Sequence, residues 1–224
     1  MFKSTPKAEA TGQKILDAAL DLFRERGFDA ATMREIAQRA DVATGAAYYY
    51  YPSKDALVLA FYERSCAEMA PLIEAALDGV RSLDRRLFEL IRVKFDYFTS
   101  NRGVLRALLH NGADPAHPLS PFSPQSQSTR ALDIAWFGRI LEGCGFTIPR
   151  DLAPHLPGVL WLFQMGVIWF WVTDDSPDQV RARKLLERAA KAVAVLIRIS
   201  SLPPMRPVRK MALEMIEIVK GDRK

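Results

Sequence analysis

Residues 13–57 read QKILDAALDLFRERGFDAATMREIAQRADVATGAAYYYYPSKDAL, and the punctuation of this stretch decides the fold. Ile15, Ala19, Leu22 and Phe23 fall at i, i+4, i+7 and i+8, the apolar stripe of an amphipathic helix over 13–26. Gly27 follows at once, suited to the left-handed residue that ends a helix, with Phe28 placed to fold back onto the last turn. Thr32-Met33-Arg34-Glu35 is a capping box that opens a second helix over 32–39, whose Ile36, Ala37 and Ala40 face inward, with Val42 following after Asp41. A short third helix over 44–50 ends before Pro52, because the residue preceding a proline resists helix. Ser53 caps a fourth helix, with Asp55 in its first turn. Two short helices joined by a turn and followed by a long one make a helix-turn-helix layout.

Outward from this stretch the pattern stays helical. The spacing predicts helices over 54–78, 84–100, 103–110, 127–143, 152–173, 177–199 and 206–220. Ser176-Pro177-Asp178-Gln179 reads as a helix start, with an N-cap serine and proline at the first position. Residues 111–128 hold four prolines among small polar residues and read as a loop with the composition of a mobile segment. Pro203-Pro204 and Pro207 set off the final helix. No strand-period alternation and no internal repeat is found. The expectation is an all-α fold: an N-terminal three-helix helix-turn-helix domain over 1–54, then a larger helical domain over 55–224.

Composition narrows the function. A chain of 224 residues, 49% apolar and 25% charged, has the make-up of a soluble globular protein. Cys66 and Cys144 form no CxxC pair, which fits a reducing compartment, and His110, His117 and His155 lack metal-ligand spacing. No metal and no cofactor is expected. Met1–Gly12 is polar, without the apolar core of a signal peptide, so a cytoplasmic, nucleoid-associated protein is expected. The most apolar stretch, Val159–Val172, is 14 residues long and contains Gln164 and Gly166. A bilayer span needs roughly 20, so it reads as a buried or subunit-facing helix, with no membrane partner. The net charge of +5 is no evidence for nucleic acid, because residues 1–64 carry nine basic and nine acidic side chains. The excess lies in 65–224, with 22 against 17. Any case for DNA rests on placement.

Residues 13–57 resemble the tetracycline-repressor (TetR) family of bacterial regulators. The family pattern is a glycine-aromatic helix end, T-x-x-x-I-A-x-x-A-x-V, G-x-x-Y-x-Y-F and P-S-K-acid-x-L. The chain carries it at Gly27-Phe28, Thr32, Ile36-Ala37, Ala40, Val42, Gly45, Tyr48, Tyr50, Pro52-Ser53-Lys54 and Leu57. It covers about a fifth of the chain; the remainder shares helical architecture and length. The resemblance implies that the positions of Thr44, Ala46 and Tyr49 or Tyr50 meet bases or nearby backbone. Ala43 stands where the family often has serine, and Ala46 where it often has threonine or serine, so two hydroxyls are missing.

The residues themselves fit that reading. A recognition helix must be slim to enter a major groove about 12 Å wide, and Gly45, Ala46 and Ala47 are small. Tyr48, Tyr50 and Lys54 can reach phosphates, which fix register without reading sequence. Arg34 can make a bidentate contact to guanine, and Thr32 can cap its helix and meet a phosphate. The plain alternative for each is structural: tyrosines as packing, Arg34 and Lys54 as solvated charges. Periodicity assigns Tyr48 and Tyr50 to DNA, Tyr51 to the core and Tyr49 to either. Singly each plain reading wins; at this spacing together, DNA wins.

DNA modules of this layout read palindromic operators as two-fold dimers. The resemblance implies a homodimer through the helices near 152–173 and 177–199; Trp161, Phe163, Trp169, Phe170 and Trp171 are numerous enough to occupy more than one side of the first, and Leu185, Leu186, Ala189, Val193, Leu196 and Ile197 line the second. It also implies an unidentified small-molecule effector between the middle helices. The candidate walls are Phe95, Phe98, Trp136, Phe137, Ile140, Trp161, Met165 and Trp169, with Arg102 or His110 as polar handles. An aromatic stripe is, however, more often plain core. The expected function is a homodimeric repressor of a palindromic operator on double-stranded DNA, released by a small apolar or amphipathic ligand. The alternative is a small-molecule-binding helical protein of the same fold with weak or vestigial DNA binding. An enzyme is excluded by the absence of G-x-S-x-G, P-loop and HExxH motifs.

Overall fold

The structure is a computed structural model that describes residues 6–111, 114 and 116–220, and every regular element among them is helical. The helices are α1 (Pro6–Arg26), α2 (Met33–Arg39), α3 (Thr44–Tyr50), α4 (Lys54–Leu77), α5 (Leu83–Phe98), α6 (Arg102–Asn111), α7 (Gln127–Glu142), α8 (Leu156–Thr173), α9 (Val180–Ser200) and α10 (Arg206–Lys220). Short 3-10 turns occupy Thr99–Asn101, Pro177–Gln179 and Pro203–Met205. The chain clusters into two compact units, Met1–Met69 with Tyr97–Arg130, and Ala70–Asp96 with Ala131–Lys224. These bounds differ from a cut after residue 54.

The first unit shows why they differ. Ile15, Leu22 and Phe23 of α1 share one apolar core with Ile36 of α2 and Ala47 of α3. Leu57, Val58 and Phe61 of α4, Val104 and Leu108 of α6, and Leu119 belong to the same core. Each large side chain so buried contributes roughly 1.5–3 kcal/mol, so α1 and the two short helices are held by residues far along the chain. Helix α1 ends at Gly27, left-handed at φ 86°, whose N–H donates to the Phe23 carbonyl. Phe28 folds back so that its ring meets Phe23 edge-on at 5.2 Å. Thr32 and Glu35 close the capping box in both directions. The Ser53 hydroxyl accepts from the Ala56 N–H and starts α4. The described part of the proline-rich loop is braced: Ser120, Ser123 and Ser126 are buried, and Arg130 donates to the carbonyls of Pro121 and Ser123.

In the second unit Leu87, Leu90 and Phe95 of α5 are buried, as are Phe137 and Ile140 of α7 and Trp171 of α8. Phe95 and Trp171 stack at 4.7 Å, 9° from parallel. Helix α9 buries Ala182, Leu186 and Ala190, and the two small alanines let α8 and α9 pack closely. One polar cluster lies inside: the Lys94 ammonium donates to the Asp133 carboxylate and to the Gln164 side-chain oxygen, and the Gln164 amide donates back to Asp133 at 2.7 Å.

Three helix starts differ from expectation by three residues or more, and the first is α1, which begins at Pro6, not 13. Helix α8 begins at Leu156, not 152, because residues 149–155 form turns that bond back to Pro149 and Leu152. Helix α9 begins at Val180, because Asp178 and Gln179 are left-handed at φ 52° and 51°. Asp174, not only Ser176, makes that corner: its carboxylate accepts from the N–H groups of Ser176 and Ala182, while the Ser176 hydroxyl accepts from the Arg181 N–H.

Candidate nucleic-acid interface

The turn between α2 and α3 is built to present α3. The Asp41 N–H donates to the Gln38 carbonyl and the Val42 N–H to that of Ala37, which closes α2, and Asp41 takes φ 52° to turn the chain. Ala43 is the N-cap of α3 in extended conformation, and it supplies no side-chain cap. Helix α4 is tied to α1 by Arg64, whose guanidinium meets Asp17 at 2.6 Å and Gln13 at 3.1 Å.

Helical rotation sorts the small and aromatic residues of α3. Ala47 is fully buried, so it belongs to the core and not to a groove-facing surface; Gly45 is exposed and Ala46 half-buried. Tyr48 is 50% and Tyr49 85% exposed, so Tyr49 is the most outward of the four tyrosines. Tyr50 turns partly inward, packed on the core beside Gly12 of α1. The Tyr51 hydroxyl donates to the Gly12 carbonyl at 3.2 Å, and burial pushes its pKa up. Thr44 and Ala43 are exposed at the leading end of α3.

Two expected phosphate contacts are already engaged. The Thr32 hydroxyl donates to Glu35 at 2.8 Å and accepts from the Glu35 N–H at 3.3 Å. A phosphate oxygen only accepts, so Thr32 cannot donate to one while its proton is held by Glu35. These bonds from the Thr32 hydroxyl and N–H, with help from Arg26, hold the Glu35 carboxyl below its ordinary pKa. Lys54 donates to the carbonyls of Phe28 at 2.7 Å and Asp29 at 3.2 Å, and lies 4.6 Å from the centre of the Phe28 ring. Its ammonium closes the turn after α1.

Ion pairs account for most other cations of this region: Arg24 with Asp21, Arg26 with Glu35, Arg39 with both oxygens of Glu25, and Lys14 with Asp41. Arg34 is exposed and, among the described residues, makes no ion pair. A planar guanidinium held at the start of α2 in this state is available to a base edge or a phosphate. Arg34, Thr44, Tyr48 and Tyr49 therefore share the exposed part of the helix-turn-helix.

The expected effector residues are divided between the two units. Phe98 and Arg102 lie in the first unit, and the His110 side chain lies outside the described residues. In the second unit Phe95, Phe137, Ile140 and Trp161 are buried core, and Met165 is half-buried. Trp136 lines an open groove of about 450 Å³ with Glu74, Leu77, Arg81, Arg86 and Arg139. Arg86 is engaged there by the carbonyls of Val80, Arg139 and Ile140, and Arg139 lies 4.7 Å from the Trp136 ring. Trp169 is 49% exposed and turns outward. Lys94 and Asp133 were not singled out by sequence; the one signal was a lysine inside the apolar period of α5, between Val93 and Phe95.

Outward apolar residues are concentrated on α8, α9 and α10. Val159, Leu162, Trp169 and Phe170 are exposed on α8, and Leu185, Val195, Leu196 and Ile199 on α9. By length and mean hydropathy α8, at 18 residues, is also able to cross a bilayer, longer than the 14-residue apolar stretch suggested. Its other side is packed, with Leu160, Trp161, Gln164 and Trp171 buried. The five aromatics of this helix thus divide: Trp161 and Trp171 go to the core, Trp169 and Phe170 outward, and Phe163 between.

Residues 15–61 match the family described as bacterial regulatory proteins, tetR family, and residues 86–215 match a tetracyclin repressor-like C-terminal domain. The HTH-type transcriptional activator FasR of Mycolicibacterium smegmatis is 32% identical, over 77% of this chain and 76% of that protein. An uncharacterized HTH-type transcriptional regulator of Mycobacterium tuberculosis is 27% identical over 71% of this chain and 83% of its own length. Among solved structures, a TetR transcriptional regulator from Nitrosomonas europaea superposes with a TM-score of 0.63 at 20% identity, covering 83% of this chain and 98% of that one. The regulator FadR from Bacillus subtilis, in complex with stearoyl-CoA, superposes with a TM-score of 0.60 at 15% identity, covering 80% and 96%.

Proposed function

The chain belongs to the tetR family of bacterial regulatory proteins, DNA-binding transcriptional regulators and not enzymes, and from that premise we infer that it is a homodimeric repressor of a palindromic operator, released by a small amphipathic ligand. The observation that carries the reading is the exposed set Arg34, Thr44, Tyr48 and Tyr49, held on a rigid core while neighbouring cations are paired. Helix α3 enters the major groove, Tyr48 and Tyr49 meet phosphates and sugars, and Arg34 reads a base or the adjoining backbone. With two hydroxyls absent at Ala43 and Ala46, apolar contact of Ala46 with a thymine methyl takes part in readout.

The exposed apolar sides of α8 and α9 support a four-helix contact between two copies. That contact sets two recognition helices about 34 Å apart, one turn of DNA. A ligand acts by preferring a state with different spacing, and full release needs up to about 5.5 kcal/mol of differential affinity. The fold is that of a regulator crystallised with stearoyl-CoA, so long-chain acyl-CoA thioesters are the first ligand class to try.

Selection of bound sequences from random DNA tests the operator: a palindrome is expected, and recovery of no motif counts against the reading. Anisotropy of the selected duplex, titrated with acyl-CoA of graded chain length, tests release. A reporter with the operator overlapping the promoter tests repression. Raised transcription there puts the chain with its relative that is named an activator.

A further inference from the structure

Arg86, near the start of α5, reaches both the turn after α4 and the last turns of α7. Its guanidinium donates to the carbonyls of Val80 at 2.7 Å, Arg139 at 3.1 Å and Ile140 at 3.1 Å. Those bonds leave one N–H unspent on each terminal nitrogen. All three acceptors are neutral, and Arg86 makes no ion pair among the described residues. Both terminal nitrogens lie against Gly143: a Cβ added there would stand 2.4 Å from Nη2 and 2.8 Å from Nη1. Gly143 is not left-handed, so glycine supplies room for the guanidinium here and not a special backbone conformation.

Arg86 and Gly143 both line the groove of about 450 Å³ beside Trp136, a volume in the range of small-molecule sites. The charge of this groove is positive in excess, with Arg81, Arg86 and Arg139 against Glu74 and Asp78. Arg81 is exposed and makes no ion pair among the described residues; its carbonyl accepts from the Gly145 N–H at 3.2 Å, which pins its backbone. Arg139 meets Glu74 at 3.0 Å, but the two side chains are 59% and 61% exposed, and so weak a pair is readily exchanged for another anion. The α7 carbonyls that would favour a cation, those of Arg139 and Ile140, are already taken by Arg86. The groove therefore selects an anion.

Two features narrow its class. Planar guanidinium groups match the oxygens of a phosphate. The indole of Trp136, half-buried on the wall, offers a π face for a planar ring, and Arg139 already lies 4.7 Å from its centre.

We propose that this groove binds a nucleotide: the phosphate takes the two spare N–H groups of Arg86 and the Arg81 guanidinium, and the base lies against Trp136 and Arg139. The proposal deepens the reading of an amphipathic effector by assigning its polar end, and rests on that reading only in taking the nucleotide to be part of the effector.

The test is calorimetry of the full chain without DNA, at low ionic strength, with adenosine monophosphate, coenzyme A and inorganic phosphate as probes. Both nucleotides are expected to bind once per chain, and phosphate at least about tenfold more weakly. Gly143→Ala keeps every charge but displaces the Arg86 guanidinium, and Arg81→Ser removes an exposed cation. Each is expected to raise the nucleotide Kd by about tenfold or more, with helicity unchanged. Trp136→Leu should weaken the nucleotides and leave phosphate as it was. Arg150→Ser, which removes an exposed cation outside the groove, should change neither. Three results overturn the proposal: no nucleotide binding at about one millimolar, phosphate as tight as nucleotide, or equal effects of Arg81→Ser and Arg150→Ser. Operator binding by the same proteins keeps the two readings apart. If the nucleotides bind as expected and no duplex does, the groove stands and the DNA reading falls. If a duplex binds and the nucleotides do not, the groove falls and the regulator stands.

Discussion

The Lys54 ammonium sits 2.7 Å from the carbonyl oxygen of Phe28 and 4.6 Å from the centre of the Phe28 ring. The first residue of α4 thereby holds the turn that ends α1, and through α4 it fixes how α3 is presented. Charge-assisted bonds of this kind are worth about 1.5–3 kcal/mol, more than an exposed ion pair. Lys54→Met is therefore expected to lower stability by about 1–2 kcal/mol. The salt slope of DNA binding is expected to stay unchanged, because the ammonium faces protein. A slope smaller by about one unit would instead place Lys54 on a phosphate.

Arg34 gives the opposite pattern. It is exposed and unpaired among the described residues, so Arg34→Ala should change stability by no more than about 0.5 kcal/mol. Operator affinity should fall by about 1–3 kcal/mol, mostly at one base position. Anisotropy against operator variants reads both. Uniform weakening at every sequence would reduce Arg34 to a backbone contact.

Asp41 lies at φ 52°, a left-handed position that an L side chain occupies at a cost. Its pair with Lys14 is 3.7 Å long, with the Asp41 side chain 96% exposed, and adds little. Asp41→Gly should stabilise the chain by about 0.5–1 kcal/mol, read as a higher denaturant midpoint at constant m-value. A lower midpoint would mean that Asp41 is held by something other than the turn.

The Lys94–Asp133–Gln164 cluster should behave as a unit. Asp133→Ala leaves a buried ammonium uncompensated and is expected to cost about 3–5 kcal/mol. Replacing all three by Met, Leu and Leu removes every unmet polar group and should cost less than about 1.5 kcal/mol. Urea unfolding of the single and triple variants decides. A triple variant worse than Asp133→Ala would assign the cluster a role that hydrophobic packing cannot fill.

Asp174 sets an acid limit. Burial by itself would raise its pKa. The N–H groups of Ser176 and Ala182, then the Ser176 side chain and Arg181, outweigh burial and hold the carboxyl far below the usual range. A lowered folded-state pKa means that the stabilisation is present above the unfolded value, near pH 4, and fades as pH falls below it. Thermal melts from pH 6 to pH 2 should show a steeper loss for the unmodified chain than for Asp174→Asn. Parallel curves would show that Asp174 does not titrate in that window.

Local chemistry made much of this chain legible. The Thr32–Glu35 box, Gly27 with Phe28, and Pro52-Ser53 announce helix ends through bonds that reach only three or four residues, so the order of residues suffices to place α2, α3 and the start of α4. The same locality failed at α9. Ser176-Pro177 looked like a complete start, but the cap that matters comes from Asp174, across a left-handed pair that no local rule foretold.

By itself, then, the sequence determined the helix count, the helix-turn-helix spacing and the family, because each depends on short-range patterns. Only the tertiary structure decided which like residues face which way: Tyr49 outward and Tyr51 onto Gly12, Lys54 onto Phe28 rather than solvent, Trp171 inside and Trp169 outside. The physical reason is that a side chain's exposure is set by the packing of distant elements, and adjacent identical residues on a helix are turned about 100° apart.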